Sequence, residues 1–218
     1  MITHTAQGLL PMVAPATTAL LVVDVQNDFV DDRGRVGQEG TELAALQAAI
    51  QQINRLIDAA RKVEVAVIYV RTVHGPEVDT APYQARYERR GMSPADTLCH
   101  AGTWGAELAA DLRPPSAHET VIVKHGYDAF ATSELPALLE QRRTRAVVVT
   151  GVVANLCVRA TTFSAFEHGY FPIVPQESTA STDPQVARAA LEDIAAWYGE
   201  IPTVDQVLAA WRGISAAV

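Results

Sequence analysis

AVVVTG (146–151), followed at once by VVANLCVRATTFSAFEHG (152–169), is the stretch that decides the fold. Its first part is apolar and rich in valine, which is typical of a strand buried on both faces of a parallel sheet. Its second part predicts a helix, because apolar residues recur at helical spacing and Gly169 stands where a C-cap is expected. The apolar positions are Leu156, Ala160, Phe163 and Phe166. A strand, a turn of small residues and a helix form the repeating unit of an α/β sheet.

Cys157 lies on the first turn of this predicted helix. The helix macrodipole is positive there, and the first backbone N–H groups have no partner within the helix. This environment lowers the pKa of a thiol and offers donors to an oxyanion, so Cys157 is a candidate nucleophile. Most lone cysteines are small buried apolar residues, and position alone does not separate the two interpretations.

Two further buried strands end in a charged residue. In ALLVVDVQNDFV (19–30) five apolar residues lead into Asp24, and in ETVIVKHGYDAF (119–130) three lead into Lys124. Each charge alone could be an ordinary solvated strand end, since doubly wound sheets end their strands in polar loops. The carboxyl ends of parallel strands are also where open α/β sheets bind ligands. A carboxylate, an ammonium group and a thiol at three such ends supply a base, a cation and a nucleophile for acyl transfer.

The segments DVQNDF, VKHGYDAF and TGVVANLCV resemble the three signature segments of the isochorismatase-like cysteine hydrolases, in the order and at the spacing of that family. The resemblance spans roughly residues 17–212. The superfamily includes nicotinamidases, N-carbamoylsarcosine amidohydrolases, ureidoacrylate and biuret hydrolases, and isochorismatases. It implies that Asp24 is the general base, that Lys124 stabilises charge and that Cys157 is the nucleophile.

The resemblance also implies a cis peptide bond between Val152 and Val153, and an oxyanion hole made of the N–H groups of Val153 and Cys157. Many relatives have Ala-Thr or Thr-Thr where this chain has Val153 and Ala154. Backbone donors do not depend on these side chains, so we expect the oxyanion hole to be retained and the polarity of the pocket to differ.

The strands and helices alternate along the chain, which predicts a three-layer, doubly wound α/β fold with helices on both faces of a mostly parallel six-stranded sheet. The strand order 3-2-1-4-5-6 is implied by the resemblance. Strands are expected at 19–24, 65–72, 120–124, 146–150, 170–176 and near 200–202. Helices are expected from Thr41 to residue 60, at 133–143, after Cys157, from Asp183 and at 203–212.

Two of these helices have a predicted inward face. The faces are Leu43, Leu46, Ile50, Ile53, Ile57 and Ala60 in the first helix, and Val186, Ala190, Ile194 and Trp197 in the helix that Asp183 caps. Residues 74–112 are irregular and rich in proline and glycine. Because long loops in compact domains are often functional, and this one contains Tyr83, Tyr87 and Trp104, we expect it to cover the substrate side.

Length and composition predict one domain, residues 17–218, after an N-terminal arm, residues 1–16. A net charge of −8 disfavours nonspecific binding to nucleic acid. No apolar run is long enough for a membrane span, and the N-terminus has no secretory signal pattern. Two cysteines in 218 residues favour a reducing compartment over a disulfide framework, so we expect a cytoplasmic protein.

A metal ion divides the superfamily. Nicotinamidases carry an Asp-x-His … His site beside the pocket, and this chain has Thr72 where the aspartate would stand. His74 and His100 remain, but two loop histidines are more often surface residues than ligands, since such sites need three or four ligands. We therefore expect no metal and no other cofactor, which counts against nicotinamidase activity.

The predicted activity is hydrolysis of a C–N bond in a small amide or ureido compound, through a thioester-type acyl-enzyme. The resemblance places aromatic side chains around the pocket, and Phe29, Trp104 and Tyr127 are the candidates for contact with substrate. Arg86, Arg89 and Arg90 are a possible carboxylate clamp or a solvated charged face.

Three other functions compete with this prediction. Isochorismatase-type hydrolysis of a vinyl ether would use Asp24 and Lys124 without the thiol, and a non-catalytic binding module would need none of the three. A nicotinamide-dinucleotide reductase is excluded because no GxGxxG follows the first strand.

Relatives form dimers or tetramers, so self-association is expected. Trp197, Tyr198 and Trp211 could serve it or fill the monomer's own core.

Overall fold

A computed structural model of the chain describes residues 12–93 and 96–215. One sheet of six strands, all paired in parallel, forms the middle layer. The strands are β1 (Thr18–Val23), β2 (Ala66–Thr72), β3 (Thr120–Lys124), β4 (Ala146–Val152), β5 (Phe171–Ile173) and β6 (Thr179–Ala180). Their order is β3-β2-β1-β4-β5, and β6 pairs with the end of β4. The fold is therefore the predicted α/β class, with the predicted order for the first five strands.

The helices alternate with the strands. They are α1 (Asn27–Val30), α2 (Arg35–Gln38), α3 (Ala44–Lys62), α4 (Ala81–Arg89), α5 (Glu134–Gln141), α6 (Arg159–Glu167), α7 (Pro184–Trp197) and α8 (Val204–Ser215). A single π-helical turn, Ala154–Val158, leads from β4 into α6. Among the described residues, none of the helices combines the length and the apolar character that crossing a membrane requires.

Two hydrophobic cores lie on opposite faces of the sheet. Leu20 and Val22 of β1 face α3 and α8, whereas Leu21 and Val23 face α5, α6 and α7. This alternation follows from the two-residue period of a strand, and both faces are apolar because helices cover both. The whole predicted apolar face of α3, from Leu43 to Ala60, is buried in the first core. The three-layer architecture is thus confirmed.

The sixth strand differs from the prediction. Residues 200–202 form no strand; Glu200 makes one isolated bridge with Ile173. The backbone of Val174 donates to Glu200 O at 2.8 Å and that of Gln176 to Pro202 O at 2.9 Å. Pro202 has no N–H to return, so the pairing stops after one bridge. The prediction of a strand at 200–202 was wrong, and the sixth strand, β6, lies beside β4.

Two predicted inward positions of α7 are exposed. Ala190 and Ile194 are buried as predicted, but Val186 lies in the open and Trp197 is 76% exposed. The two misplaced residues lie in the first and last turns, outside the middle of the helix that packs against the sheet. Asp183 caps the helix as predicted, since its carboxylate accepts a hydrogen bond from the Gln185 backbone at 2.8 Å.

The helix after Cys157 also turns its large apolar residues outward. Leu156, Phe163 and Phe166 are exposed, and small residues such as Thr161 and Ala165 pack against the sheet. Gly169 ends this helix with a positive φ of 83°, as its position predicted.

Val13, near the start of the described residues, packs against α8. Residues 1–11 of the predicted arm lie outside the described residues. Val13 is fully buried, and the indole of Trp211, also buried, donates to Val13 O at 3.1 Å. Residues near the start of the described chain therefore pack against the core.

Candidate active site

Asp24 follows β1 directly and has a positive φ of 55°. This conformation is uncommon for a residue with a side chain, although aspartate adopts it more readily than most, and such strained residues cluster at functional sites. The Asp24 N–H donates to Val70 O of β2 at 2.8 Å, and Asp24 O accepts from the Gln26 N–H at 2.8 Å. The end of β1 is thus held from both sides, so the carboxylate has a defined position.

Gly151 allows β4 to approach β1 at this level. Its φ is 116°, and a Cβ atom there would lie 1.9 Å from Val23 O. Only glycine fits such a contact, which brings the end of β4, and with it the turn that carries Cys157, next to Asp24.

Asp24, Lys124 and Cys157 meet at the carboxyl ends of β1, β3 and β4. Lys124 Nζ donates to Asp24 Oδ2 at 2.7 Å and to Gly126 O at 2.7 Å, and it lies 3.6 Å from Cys157 Sγ. All three side chains are buried. The second carboxylate oxygen, Asp24 Oδ1, is buried without a hydrogen-bond partner. The structure therefore brings together the three residues that the sequence singled out, and it leaves one acceptor free beside the thiol.

The electrostatics of this cluster differ from the sequence-based expectation. Burial raises the pKa of the Cys157 thiol well above its ordinary value, the charge of Asp24 raises it further, and Lys124 lowers it. The expected lowering by a helix N-terminus was wrong, because desolvation of a buried thiolate outweighs it. Burial lowers the pKa of Lys124, but the charges of Asp24 and Cys157 outweigh burial and raise it. The resting cluster is a neutral thiol beside an ion pair.

The peptide bond between Val152 and Val153 is cis, as predicted. The π-helical turn that follows carries Cys157, and the backbone of Val158 donates to Val153 O at 3.3 Å. Val153 and Cys157 thus bracket one compact turn at the end of β4. Their role as an oxyanion hole stays a prediction.

The polar residues after Asp24 tie part of the 74–112 segment to the sheet. Gln26 Nε2 donates to Thr72 O and Ala106 O, both at 2.8 Å, and Gln26 Oε1 accepts from the Thr72 backbone at 2.8 Å. Asp28 accepts from the backbone of Cys99 at 2.6 Å. The motif after Asp24 therefore fixes the segment 99–106 to the end of β1.

Cys99 is an ordinary buried thiol in this loop. Its side chain is fully enclosed, Sγ lies 3.7 Å from Gly105 O, and burial raises the pKa of the thiol. Both cysteines are free.

His74 is buried, so its interpretation as a surface residue was wrong. Its Nδ1 lies 2.6 Å from Asp79 Oδ1 and its Nε2 lies 3.1 Å from Thr72 Oγ1, so both ring nitrogens have partners. His100 Nδ1 lies 3.3 Å from Thr97 Oγ1. A metal ligand needs a free nitrogen lone pair, and Thr72 supplies a hydroxyl in place of a carboxylate. These residues do not fit the metal site of nicotinamidases.

The three predicted substrate contacts lie in different surroundings. The Trp104 ring is partly exposed under the guanidinium of Arg33, 4.7 Å from the ring centroid. Phe29 packs against the core on the α3 face. Tyr127 follows Lys124, and its ring centroid lies 5.5 Å from that of Tyr83. Contact of Phe29, Trp104 and Tyr127 with substrate stays a prediction.

Tyr83 is the residue near the site that the sequence singled out only as part of a loop. Its ring stacks on His74 with centroids 4.6 Å apart. The sequence offered one indirect signal. His74 and Asp79 stand five residues apart in HGPEVD, a spacing that lets Asp79 fix the imidazole of His74, on which Tyr83 stacks.

A parallel α/β sheet with a buried carboxylate, ammonium group and thiol at its strand ends defines a cysteine hydrolase of the α/β type. The model of the isochorismatase domain matches residues 18–206, and the chain belongs to this family.

Relatives with known names agree with this assignment. The chain is 30% identical over 203 residues to the ureidoacrylate amidohydrolase RutB of Serratia proteamaculans (strain 568), covering 88% of this chain and 82% of that protein. A cysteine hydrolase from Pseudomonas syringae pv. phaseolicola 1448A superposes with a TM-score of 0.83 at 25% identity, over 93% of this chain and 96% of that one. N-carbamoylsarcosine amidase from Thermoplasma acidophilum superposes with a TM-score of 0.69 at 26% identity, over 87% and 97% of the two chains.

Proposed function

We propose that this chain is a cysteine-dependent hydrolase that cleaves a C–N bond of a small amide or ureido compound through a thioester-type acyl-enzyme. The observation that carries the proposal is the Asp24–Lys124 ion pair, buried 3.6 Å from Cys157 Sγ, with one carboxylate oxygen free. A base, a cation and a thiol in one buried cluster are the parts that covalent acyl transfer needs.

The names of the relatives support the same reaction class. One is a ureidoacrylate amidohydrolase and another an N-carbamoylsarcosine amidase, both of which act on a C–N bond next to a carbonyl group. A vinyl-ether hydrolase would have no use for a thiol placed this close to the ion pair. The site supports the amide or ureido reaction better.

In the first half of the proposed reaction, Asp24 takes the thiol proton through its free oxygen, and Cys157 Sγ attacks the carbonyl carbon. A C–S bond forms as the carbonyl becomes an oxyanion, which the N–H groups of Val153 and Cys157 receive. The C–N bond then breaks, Asp24 returns the proton to the leaving nitrogen, and an amine or ammonia departs. Lys124 holds the carboxylate in place and offsets the negative charge.

In the second half, water replaces the leaving group. Asp24 removes a proton from the water molecule, the hydroxyl oxygen bonds to the carbonyl carbon, and the C–S bond breaks. The thiolate takes the proton back, so acid product and neutral thiol are released. The residues hold and move every proton themselves, and we propose that the reaction needs no metal or other cofactor.

Phe29, Trp104 and Tyr127 are proposed to bind substrate. Tyr127 is the best supported of the three, since it follows Lys124 closely and contacts Tyr83. Phe29 packs against the α3 core and Trp104 is exposed under Arg33, so these two are the weaker candidates.

The experiment is an ammonia-release screen over small amides, ureido acids and nicotinamide, run beside isochorismate. We expect ammonia from an amide or an N-carbamoyl compound and none from Cys157→Ala. Cys99→Ala is the matched control and should keep its activity, because Cys99 lies outside the cluster. Turnover of isochorismate alone would contradict the proposal.

The domain and the cellular setting are part of the same proposal. Residues 17–218 act as one hydrolase domain, with residues 1–16 as an arm whose last part packs on it. The enzyme works in the cytoplasm, where its two free cysteines stay reduced.

We also propose that the enzyme is a homo-oligomer. A groove of about 490 Å³ lies between α6 and α7, and its lining includes Leu156, Phe163 and Trp197. Trp197 is 76% and Phe163 50% exposed, and large exposed apolar side chains that line one groove are typical of interfaces. Tyr198 and Trp211, the other candidates from the sequence, are buried in the monomer.

A further inference from the structure

One face of α4 is directed toward the proposed active site. Tyr83, Arg86 and Tyr87 are spaced three and four residues apart, so they share a face of the helix. Tyr87 is buried, and Gln84 Nε2 donates to Pro76 O and to Asp79 O, both at 3.0 Å. These contacts fix the helix against the loop that follows β2, so its face has a defined orientation.

Tyr83 is held in place by a chain of contacts. Asp79 and Thr72 fix the ring of His74, and Tyr83 stacks on that ring at 4.6 Å with an interplanar angle of 20°. Burial raises the pKa of Tyr83, and a hydrogen bond with Tyr127 and the nearby Cys157 raise it further. The hydroxyl therefore stays protonated and can act as a hydrogen-bond donor.

Arg86 is the cation of this face. Its guanidinium carbon lies 5.9 Å from the ring centroid of Tyr83 and 5.5 Å from that of Tyr87. Within the described ranges, no carboxylate lies in salt-bridge contact with Arg86. Arg89 and Arg90 differ, because both are exposed at the end of the helix, whereas Arg86 is half-buried. A half-buried guanidinium beside aromatic rings has donors to spare for an anion.

We propose that Arg86 and Tyr83 bind a carboxylate group of the substrate and so determine its specificity. The substrate class is then an N-carbamoyl or ureido acid, with its carbonyl at Cys157 and its carboxylate at α4, in preference to a neutral amide. This inference rests on the proposed C–N hydrolysis. His74 and Asp79 are positioning residues, since they act on the substrate only through Tyr83.

The test compares ammonia release from an N-carbamoyl amino acid and from its methyl ester, which has the same ureido group without the negative charge. Wild-type enzyme should favour the acid in kcat/KM. In Arg86→Gln we expect kcat/KM for the acid to fall about 10-fold to 100-fold, the usual effect of a lost charge-assisted hydrogen bond, chiefly through KM. The ester should be hydrolysed within about twofold of wild type. Arg89→Gln on the same helix is the matched control and should behave as wild type.

Tyr83→Phe removes only the hydroxyl and should reduce the preference for the acid in the same direction. An equal loss on acid and ester in Arg86→Gln would mean a structural role and would overturn the inference. So would a wild-type enzyme that hydrolyses acid and ester equally, while C–N hydrolysis itself would stand. If neither compound nor any other amide or ureido compound releases ammonia, the proposed function fails first.

Discussion

At the scale of single residues, the site depends on the conformation of Asp24. Its positive φ places the carboxylate at the strand end. Asp24 Oδ2 accepts a hydrogen bond from Lys124, and Asp24 Oδ1 is buried without a hydrogen-bond partner. An unpaired buried acceptor is costly, so its retention is explained by a task such as receiving the thiol proton. The hydrophobic runs before Asp24 and Lys124 predicted that both residues stand at strand ends, whereas their catalytic roles rest on the resemblance and stay predictions. The thiol's raised pKa was not predictable, because the sequence does not give the depth of burial.

Asp24 and Lys124 should each be required for the formation of the acyl-enzyme. Asp24→Asn keeps the shape of the side chain but removes the base, so we expect kcat to fall by about 10²–10⁴-fold. Lys124→Ala should also reduce kcat strongly, because it leaves a buried carboxylate without its cation. Single-turnover kinetics measures both effects. Wild-type-like rates in either variant would remove that residue from the mechanism, and thermal melting shows whether a variant is folded.

Cys157 should react with iodoacetamide slowly at neutral pH in the ligand-free enzyme. A raised pKa keeps the thiol protonated below that pKa, so the reactive thiolate forms only above the pH range of an ordinary thiol. Asp24→Asn should move the inflection to lower pH, because a nearby negative charge is removed. Lys124→Ala should move it to higher pH, because a nearby positive charge is lost.

The alkylation profile has its own control. In Cys157→Ala only Cys99 remains. Burial raises the pKa of that thiol too, so labelling of this variant should be slow throughout the neutral pH range. An inflection for Cys157 below that of a free thiol would show that the helix N-terminus outweighs burial.

At the scale of elements, hydrophobic periodicity correctly predicted the buried face of helices that pack against the sheet over their whole length. The apolar face of α3 is an example, since six residues at helical spacing have one explanation. The same periodicity gave a wrong prediction for the large apolar residues of α6 and for the ends of α7, which are exposed. Their spacing is helical too, but the pattern does not state whether the apolar side meets the sheet or another surface. No strand forms at 200–202, because Pro202 has no N–H and the pairing stops after one bridge.

Gly151 should tolerate no side chain. Alanine there would place Cβ 1.9 Å from Val23 O at a φ of 116°, so β1 and β4 would have to separate beside Asp24. We expect a loss of more than about 3 kcal/mol in the free energy of unfolding, measured by urea denaturation. Gly91→Ala is the matched control, because its φ is also positive but nothing lies near its Cβ position. It should cost about 1 kcal/mol. Equal costs would show that the close approach is unimportant.

At the scale of the whole molecule, the site is assembled from segments far apart in the chain. Asp24, Lys124 and Cys157 were predictable because strand ends of a parallel sheet share one edge. The contacts of Tyr83 with His74 and Tyr127 were not predictable, since they depend on how an irregular segment folds back over the sheet. Local patterns carry little information on such long-range loop contacts.

Self-association should depend on the groove between α6 and α7. Trp197→Glu and Phe163→Glu place a charge on its apolar lining, so each should weaken association at least about tenfold in sedimentation experiments. Phe171→Glu is the matched control, since Phe171 is similarly exposed but lies outside the groove lining. A wild-type enzyme that sediments as a monomer at micromolar concentration would refute the association.

The central claim is that Cys157 forms a covalent acyl-enzyme, and mass spectrometry of the acid-quenched enzyme during turnover of an N-carbamoyl substrate tests it most directly. We expect the peptide that contains Cys157 to carry the carbamoyl group as an S-thiocarbamate, seen as the corresponding mass increase, and we expect the Cys99 peptide to stay unmodified. Asp24→Asn should form the adduct more slowly. Turnover with an unmodified Cys157 under rapid quench, or full activity in Cys157→Ala, would contradict the account.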